Sequence, residues 1–272
     1  MENAEKAEPG TEPDAFMVPG DNQEVNRIER TGRISLIISR TYLLIPGGQE
    51  KKAMRYGEST FDILYLLFVI ISGILILVNA GSKAQKYMGT AALILGCGDA
   101  FHLIPRVLNY FFEADFTAAL GTGKLITSIT MTIFYVLLYF IWMEYYQQKE
   151  KRSLTAVVFG LMAARILLCL LPQNNWIRND SSIVWGIIRN IPFTILGGII
   201  CFLFFIRRMD KKPFRFLWIC ILFSFLFYIP VAVGAGTIPA LGMLMLPKTV
   251  CYILVVCMFR SAVSDERRDC ST

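Results

Sequence analysis

Residues 183–206 read IVWGIIRNIPFTILGGIICFLFFI and are followed at once by RRMDKK at 207–212. Only Arg189 charges this run of 24 residues, and a bilayer core about 30 Å thick needs roughly 20 apolar residues of helix to cross it. The stretch is therefore a transmembrane helix by length, and the basic cluster behind it marks the side on which it stops. Outward from it lie six further runs of the same kind: Phe61–Ala80, Tyr87–Tyr110, Lys124–Tyr145, Leu154–Leu171, Phe216–Gly234 and Ile238–Phe259. The fold expected is all-α, an integral membrane bundle of seven transmembrane helices. Composition agrees: of 272 residues 55% are hydrophobic and 18% charged, with a mean hydropathy of +0.52, too little polar surface for a water-soluble globule. The 20 Phe, 11 Tyr and 4 Trp fall in long apolar runs instead of alternating with polar residues, which excludes an outer-membrane barrel.

Alternate connections differ in charge. Lys83 and Lys86 follow the first span, Lys149, Lys151 and Arg152 the third, Arg207, Arg208, Lys211, Lys212 and Arg215 the fifth, and Arg260, Arg267 and Arg268 the seventh. The opposite connections carry Arg178 as the one basic residue within 172–182 and no charge within 234–237. The positive-inside rule then places the amino terminus outside and the carboxyl terminus in the cytoplasm of a cell-membrane protein. Against this, Arg27, Arg30, Arg33, Arg40, Lys51, Lys52 and Arg55 would have to be translocated. Three regions follow: a tail over 1–57, a bundle over 58–260 and a short cytoplasmic tail over 261–272. The first 24 or so residues are acidic and rich in Pro, Gly and Ala, a composition of disorder with no signal-peptide core. ISLIISRTYLLIP at 34–46 is too short to span and suits the membrane surface. Six of the 7 cysteines lie in apolar segments, so no structural disulfide is expected. The net charge of +6 sits mainly at the ends of apolar runs, a signature of membrane lipids as partners and not of nucleic acid.

Ionisable residues in hydrocarbon cost roughly 2.5 to 3.5 kcal/mol on insertion scales and usually turn inward to a site. Asp99 lies 13 residues past Lys86, Arg165 lies 13 past Arg152, and Lys248 lies 12 before Arg260. At about 1.5 Å per residue these three helices put a charge at one depth, past mid-membrane toward the outside. Asp99, His102 and Arg106 stand at i, i+3 and i+7 on one face of the second span. Arg189 and Asn190 enter the fifth span and Lys124 opens the third. Pro105, Pro192, Pro230 and Pro247 fall near the same level, and each frees a carbonyl that protein or cavity water must satisfy. Asp99 is the only carboxylate assigned to this chamber. A surplus of buried cations needs anions or water, which points to an anionic guest such as a carboxylate, phosphate or lipid head group. The structural alternative is that Arg106, Lys124 and Arg189 reach up to the outer head groups while Asp99 bridges to Lys248 or Arg165. His102 is the sole histidine, so no histidine-based metal site can be assembled, and no cofactor is implied.

Lys248 in the last span and Tyr228–Ile229–Pro230 in the sixth resemble the retinal-binding rhodopsins in their lysine and aromatic–proline pattern. The likeness ends there: four residues before Lys248 stands Leu244 and not an acid, and the third span has no carboxylate before Glu144 at its far end to balance a protonated Schiff base. The leading expectation is a non-enzymatic protein that binds or transports a small anionic or amphiphilic ligand. Its ligand-binding residues would be Asp99, His102, Arg106, Arg165, Arg189 and Lys248. The competing expectations are an intramembrane enzyme acting on a lipid or isoprenoid with Asp99 and His102 as acid and base, and a rhodopsin-like or receptor-like seven-helix protein whose basic loops engage a partner.

Overall fold

The computed structural model describes residues 48–180, 182–234 and 239–271. The chain divides into two units, 1–53 and 54–272, and the bundle belongs to the second. Seven α-helices cross it in alternating directions: α1 Gly48–Val78, α2 Lys83–Phe111, α3 Thr117–Tyr145, α4 Arg152–Leu170, α5 Ile183–Ile206, α6 Leu217–Gly234 and α7 Met245–Ser271. All seven are long and apolar enough to cross a membrane, and the chain is a multi-pass membrane protein. The expected surface segment over 34–46 and the acidic tail lie outside the described residues.

Several helix ends differ from the sequence expectation: α3 begins at Thr117, ahead of Lys124, and α7 begins at Met245, after Ile238. α1 begins at Gly48, well ahead of Phe61, and α7 continues through the expected tail to Ser271. Polar residues carry helix as readily as apolar ones once a neighbouring turn is formed; hydropathy reports the lipid-embedded part and not the ends. The short 3₁₀ stretch Pro239–Leu244 precedes α7, which places Pro247 in its first turn. The first N–H groups of a helix have no intrahelical partner, so Pro247 releases no carbonyl, contrary to the sequence expectation. Pro105, Pro192 and Pro230 do lie inside helices.

Local chemistry sets the other boundaries. Ser82 and Ser182 accept from the backbone N–H of Gln85 and Trp185 at 3.2 and 3.3 Å, capping α2 and α5. α4 stops where Pro172 cannot continue it, and two 3₁₀ turns follow at Pro172–Asn174 and Trp176–Arg178. Asn175 and Asn179 close those turns at φ of 49° and 52°, a left-handed conformation that asparagine tolerates better than most residues.

Packing inside is aromatic and close. Tyr135 of α3 meets Phe193 of α5 edge-on at 5.1 Å and Phe225 of α6 at 5.5 Å, an arrangement that aligns ring edges with ring faces. Glycines let neighbouring elements touch: a Cβ on Gly98 would run into the Thr130 side chain, one on Gly121 into the Trp176 carbonyl and one on Gly197 into the Phe225 ring. At Gly123 the obstacle is the carbonyl of Phe101, the group that Pro105 leaves without its partner four residues on. Here α3 comes close enough to cover the fault in α2. Outside, Leu64, Leu67, Ile71, Phe202, Leu222 and Leu226 are all exposed, a surface suited to acyl chains and not to water.

Gly98→Val and Gly197→Val should each lower stability by about 1–3 kcal/mol through overpacking. A Cβ added at Gly160 would meet nothing within 4 Å, so this position should accept alanine with little change or a small gain. Unfolding of detergent-solubilised protein, followed by intrinsic fluorescence, compares the three.

Candidate functional site

Three polar groupings occupy the half of the bundle away from the basic connections. The first joins α1 to α2. Glu58, Asp62 and Tyr65 stand at i, i+4 and i+7 on α1, and all three are buried. Arg106 of α2 donates through Nη2 to Glu58 Oε2 at 3.1 Å and through Nε to Tyr110 Oη at 3.1 Å, and Tyr110 Oη donates to the same Glu58 oxygen at 2.9 Å. Tyr65 Oη donates to Asp99 Oδ2 at 2.7 Å. Asp62, 4% exposed, has no hydrogen-bond partner for Oδ2.

The charge inventory drawn from sequence is corrected here, because Glu58 and Asp62 are buried carboxylates beside the half-buried Asp99, and Glu58 neutralises Arg106 directly. Sequence reasoning missed them because both sit at the border of the first apolar run, where acids are ordinarily solvated. The spacing Glu58, Asp62, Tyr65, Val69 was the available signal: one helix face, entirely buried.

Lys248 anchors the second grouping. Its ammonium lies over the rings of Tyr228 at 4.9 Å and Tyr252 at 5.5 Å, a cation–π cradle. Its charge is felt at Asp99 and His102. Among the described residues, however, no carboxylate lies within ion-pair distance of Lys248 or Arg165, so the bridge from Asp99 to either, which was the structural alternative, is not formed. His102 lies in the field of Lys124, Arg106 and Lys248. Its Nδ1 is buried without a partner. Lys124 turns to Asn179 Oδ1 at 2.7 Å.

Arg165 is the centre of the third. It is 2% exposed and heads the largest fully buried side chains. One Nη donates to the backbone carbonyl of Arg189, the guanidinium stands 5.0 Å from the centre of the Phe193 ring, and Nε has no partner. Arg189 donates to Asn174 Oδ1 at 2.9 Å and lies 4.4 Å over Trp176. The loop that places these two is itself pinned to the end of α4: Asn174 Nδ2 donates to the carbonyls of Leu168 and Leu171 at 2.7 and 3.0 Å, and Trp176 Nε1 to that of Cys169 at 2.7 Å. Unpaired carbonyls at a helix end carry partial negative charge, which favours cations nearby.

Arg165 and Lys248 thus each rest on an aromatic ring, and the two rings meet. Phe193 and Tyr228, with ring centres 5.9 Å apart, stand between them, and Tyr228 Oη is fixed by donation to Asn190 Oδ1 at 2.8 Å. A cavity of about 160 Å³ lies between α1 and α2, lined by Asp62, Leu66 and Leu103 among others. Another of about 400 Å³ lies at the far end between α1 and α7. Neither is lined by Arg165, Arg189 or Lys248. Among the described residues no three His, Cys, Asp or Glu side chains converge to hold a metal ion. No protein family, curated protein or solved structure matches this chain.

The Glu58–Arg106 pair gives a direct test of the first grouping. Glu58→Gln and Arg106→Gln should each destabilise the bundle by about 2 kcal/mol, since each leaves a partly buried charge behind. The double variant should lose less than their sum, with a coupling of about 1–2 kcal/mol in a double-mutant cycle of detergent unfolding.

Proposed function

We propose that this multi-pass membrane protein binds or transports a small anionic or amphiphilic ligand, and that Arg165 is its principal anchor. The observation that carries the reading is the state of that guanidinium: it is 2% exposed, with one backbone carbonyl, one aromatic ring and an unpartnered Nε as its surroundings. Among the described residues no carboxylate lies within ion-pair distance of it. A carbonyl dipole and a ring offset only part of the desolvation cost of a charge. An anion would supply the rest, with the two-pronged geometry that guanidinium offers to carboxylate or phosphate.

In this reading Lys248 adds positive potential from behind Tyr228, and Arg189, over Trp176 near the mouth of the bundle, receives the ligand. Phe193 and Tyr228 act as the partition the ligand must pass to reach the second cation. Asp99 and His102 hold the field of Lys248 in place. The commitment of Asp99 to Tyr65 at 2.7 Å favours this binding role over an acid–base pair with His102. The charge of the connections supports a cell-membrane protein with its amino terminus outside, so that the Arg165 half opens outward.

Arg165→Gln should weaken the binding of an anionic probe such as octanoate or glycerol phosphate by roughly tenfold or more, the scale of one charge-assisted contact. Lys248→Gln should weaken it less. Native mass spectrometry of the full chain measures both, with size-exclusion profiles to establish that the variants are folded. Undiminished binding in both variants sinks the site. A carboxy-terminal fluorescent fusion should resist protease added to intact cells, and its digestion would reverse the orientation.

A further inference from the structure

At the basic end, the last turn of α1 and the extension of α7 flank the open cleft of about 400 Å³. It is lined by Leu75, Ile76 and Asn79 on one side and by Arg260, Val263, Ser264, Arg267 and Arg268 on the other. On α7, residues 260, 264, 267 and 268 stand at i, i+4, i+7 and i+8, one helix face. The face exists because α7 does not stop at the membrane border: a helix running to Ser271 holds in fixed register arginines that a flexible tail would scatter.

The two walls are held together by their own contacts. Arg267 donates to the carbonyl of Asn79 at 3.0 Å, and Glu266 accepts from Gln85 at 2.6 Å and from Ser82 at 3.2 Å. Glu266 is therefore drawn away from the cleft and toward the start of α2, and Asp265 beside it is half-buried and does not line the cleft. No carboxylate belongs to the lining, and among the described residues none lies within ion-pair distance of Arg260 or Arg267.

We propose that this cleft is a binding site for the phosphate head group of an anionic phospholipid drawn from the surrounding leaflet. Its volume falls within the range of small-molecule sites, and its lining is divided as such a lipid is divided. Arg260, Arg267 and Ser264 present donors for phosphate oxygens, while Asn79 Nδ2 is held by the carbonyl of Leu75 at 2.7 Å. Leu75 is exposed and carries the lining into the hydrocarbon-facing flank, where it accepts the first carbons of an acyl chain, while Ile76 and Val263 are buried beneath it. Arginine suits the role because its planar fork meets phosphate oxygens in pairs. Basic pockets between transmembrane helices at a membrane surface recognise lipid head groups by this combination. The site is at the opposite end of the bundle from Arg165 and does not depend on the function proposed for that residue.

The full chain in detergent, titrated with dioleoyl phosphatidic acid and with dioleoyl phosphatidylcholine and read by native mass spectrometry, tests the proposal. Phosphatidic acid should bind roughly tenfold tighter. Arg260→Gln and Arg267→Gln should each cut that binding about fivefold, the scale of one arginine at an anionic surface. Arg215→Gln, which removes an exposed arginine elsewhere at the same end, should leave it unchanged. Equal losses from Arg215→Gln would reduce the effect to diffuse surface charge and overturn the site. Equal affinity for both lipids would do the same, and so would glycerol phosphate competing as well as the intact lipid, since the acyl half of the cleft would then have no part.

Discussion

Inside a bilayer no water is at hand, so each polar group must find its partner within the protein. That constraint organises the bundle. It explains why Asn174 and Trp176 bind the final carbonyls of α4. It also accounts for the way hydroxyls turn back on their own helices, as Ser128, Thr132 and Thr194 do to the carbonyls of Lys124, Ser128 and Asn190 at 2.7 to 2.9 Å. Where proline interrupts α2, a glycine of α3 brings backbone against the released carbonyl. The same rule makes the unsatisfied atoms informative. Asp62 Oδ2, His102 Nδ1 and Arg165 Nε are buried without partners, and all three belong to the half of the bundle that carries the charges.

The charges are not pooled but sorted by neighbour. Arg106 is spent on Glu58 within a compact network that also engages Tyr110. Lys248 is sheathed by two tyrosines, which lowers the cost of its burial without neutralising it. Arg165 is the least compensated, because it donates to a neutral carbonyl and meets no carboxylate among the described residues. Aromatic rings do much of this work: Phe193 touches Arg165, Tyr135, Phe225 and Tyr228, so one ring couples the cation of α4 to the core of α3 and α6. A ligand reaching Arg165 would press on this ring, and through it on the partition toward Lys248.

The basic end follows a different logic. There the arginines are exposed and the lipid head groups are close, so charge is inexpensive and its arrangement carries the information. The extension of α7 converts a set of orientation signals into a single cationic face opposite the end of α1, while Glu266 is turned toward the start of α2 by its contacts with Ser82 and Gln85.

Seven spans and their alternating direction were legible in the residues themselves, because crossing hydrocarbon requires a fixed length of apolar helix and nothing else about the chain can hide it. Asp99, Arg165 and Lys248 were also visible, as charges in runs that should have none. Their partners were not. Glu58 and Asp62 sit where α1 meets the membrane border, and only their shared burial against α2 distinguishes them from solvated acids. The assignment of Arg106 to Glu58, the rings between Arg165 and Lys248, and the cleft beside α7 all join residues far apart in the chain. Hydropathy is a property of one segment at a time, whereas pairing depends on which faces two helices turn toward each other; that choice is made by glycine contacts and ring packing, and it exists only once the bundle is assembled.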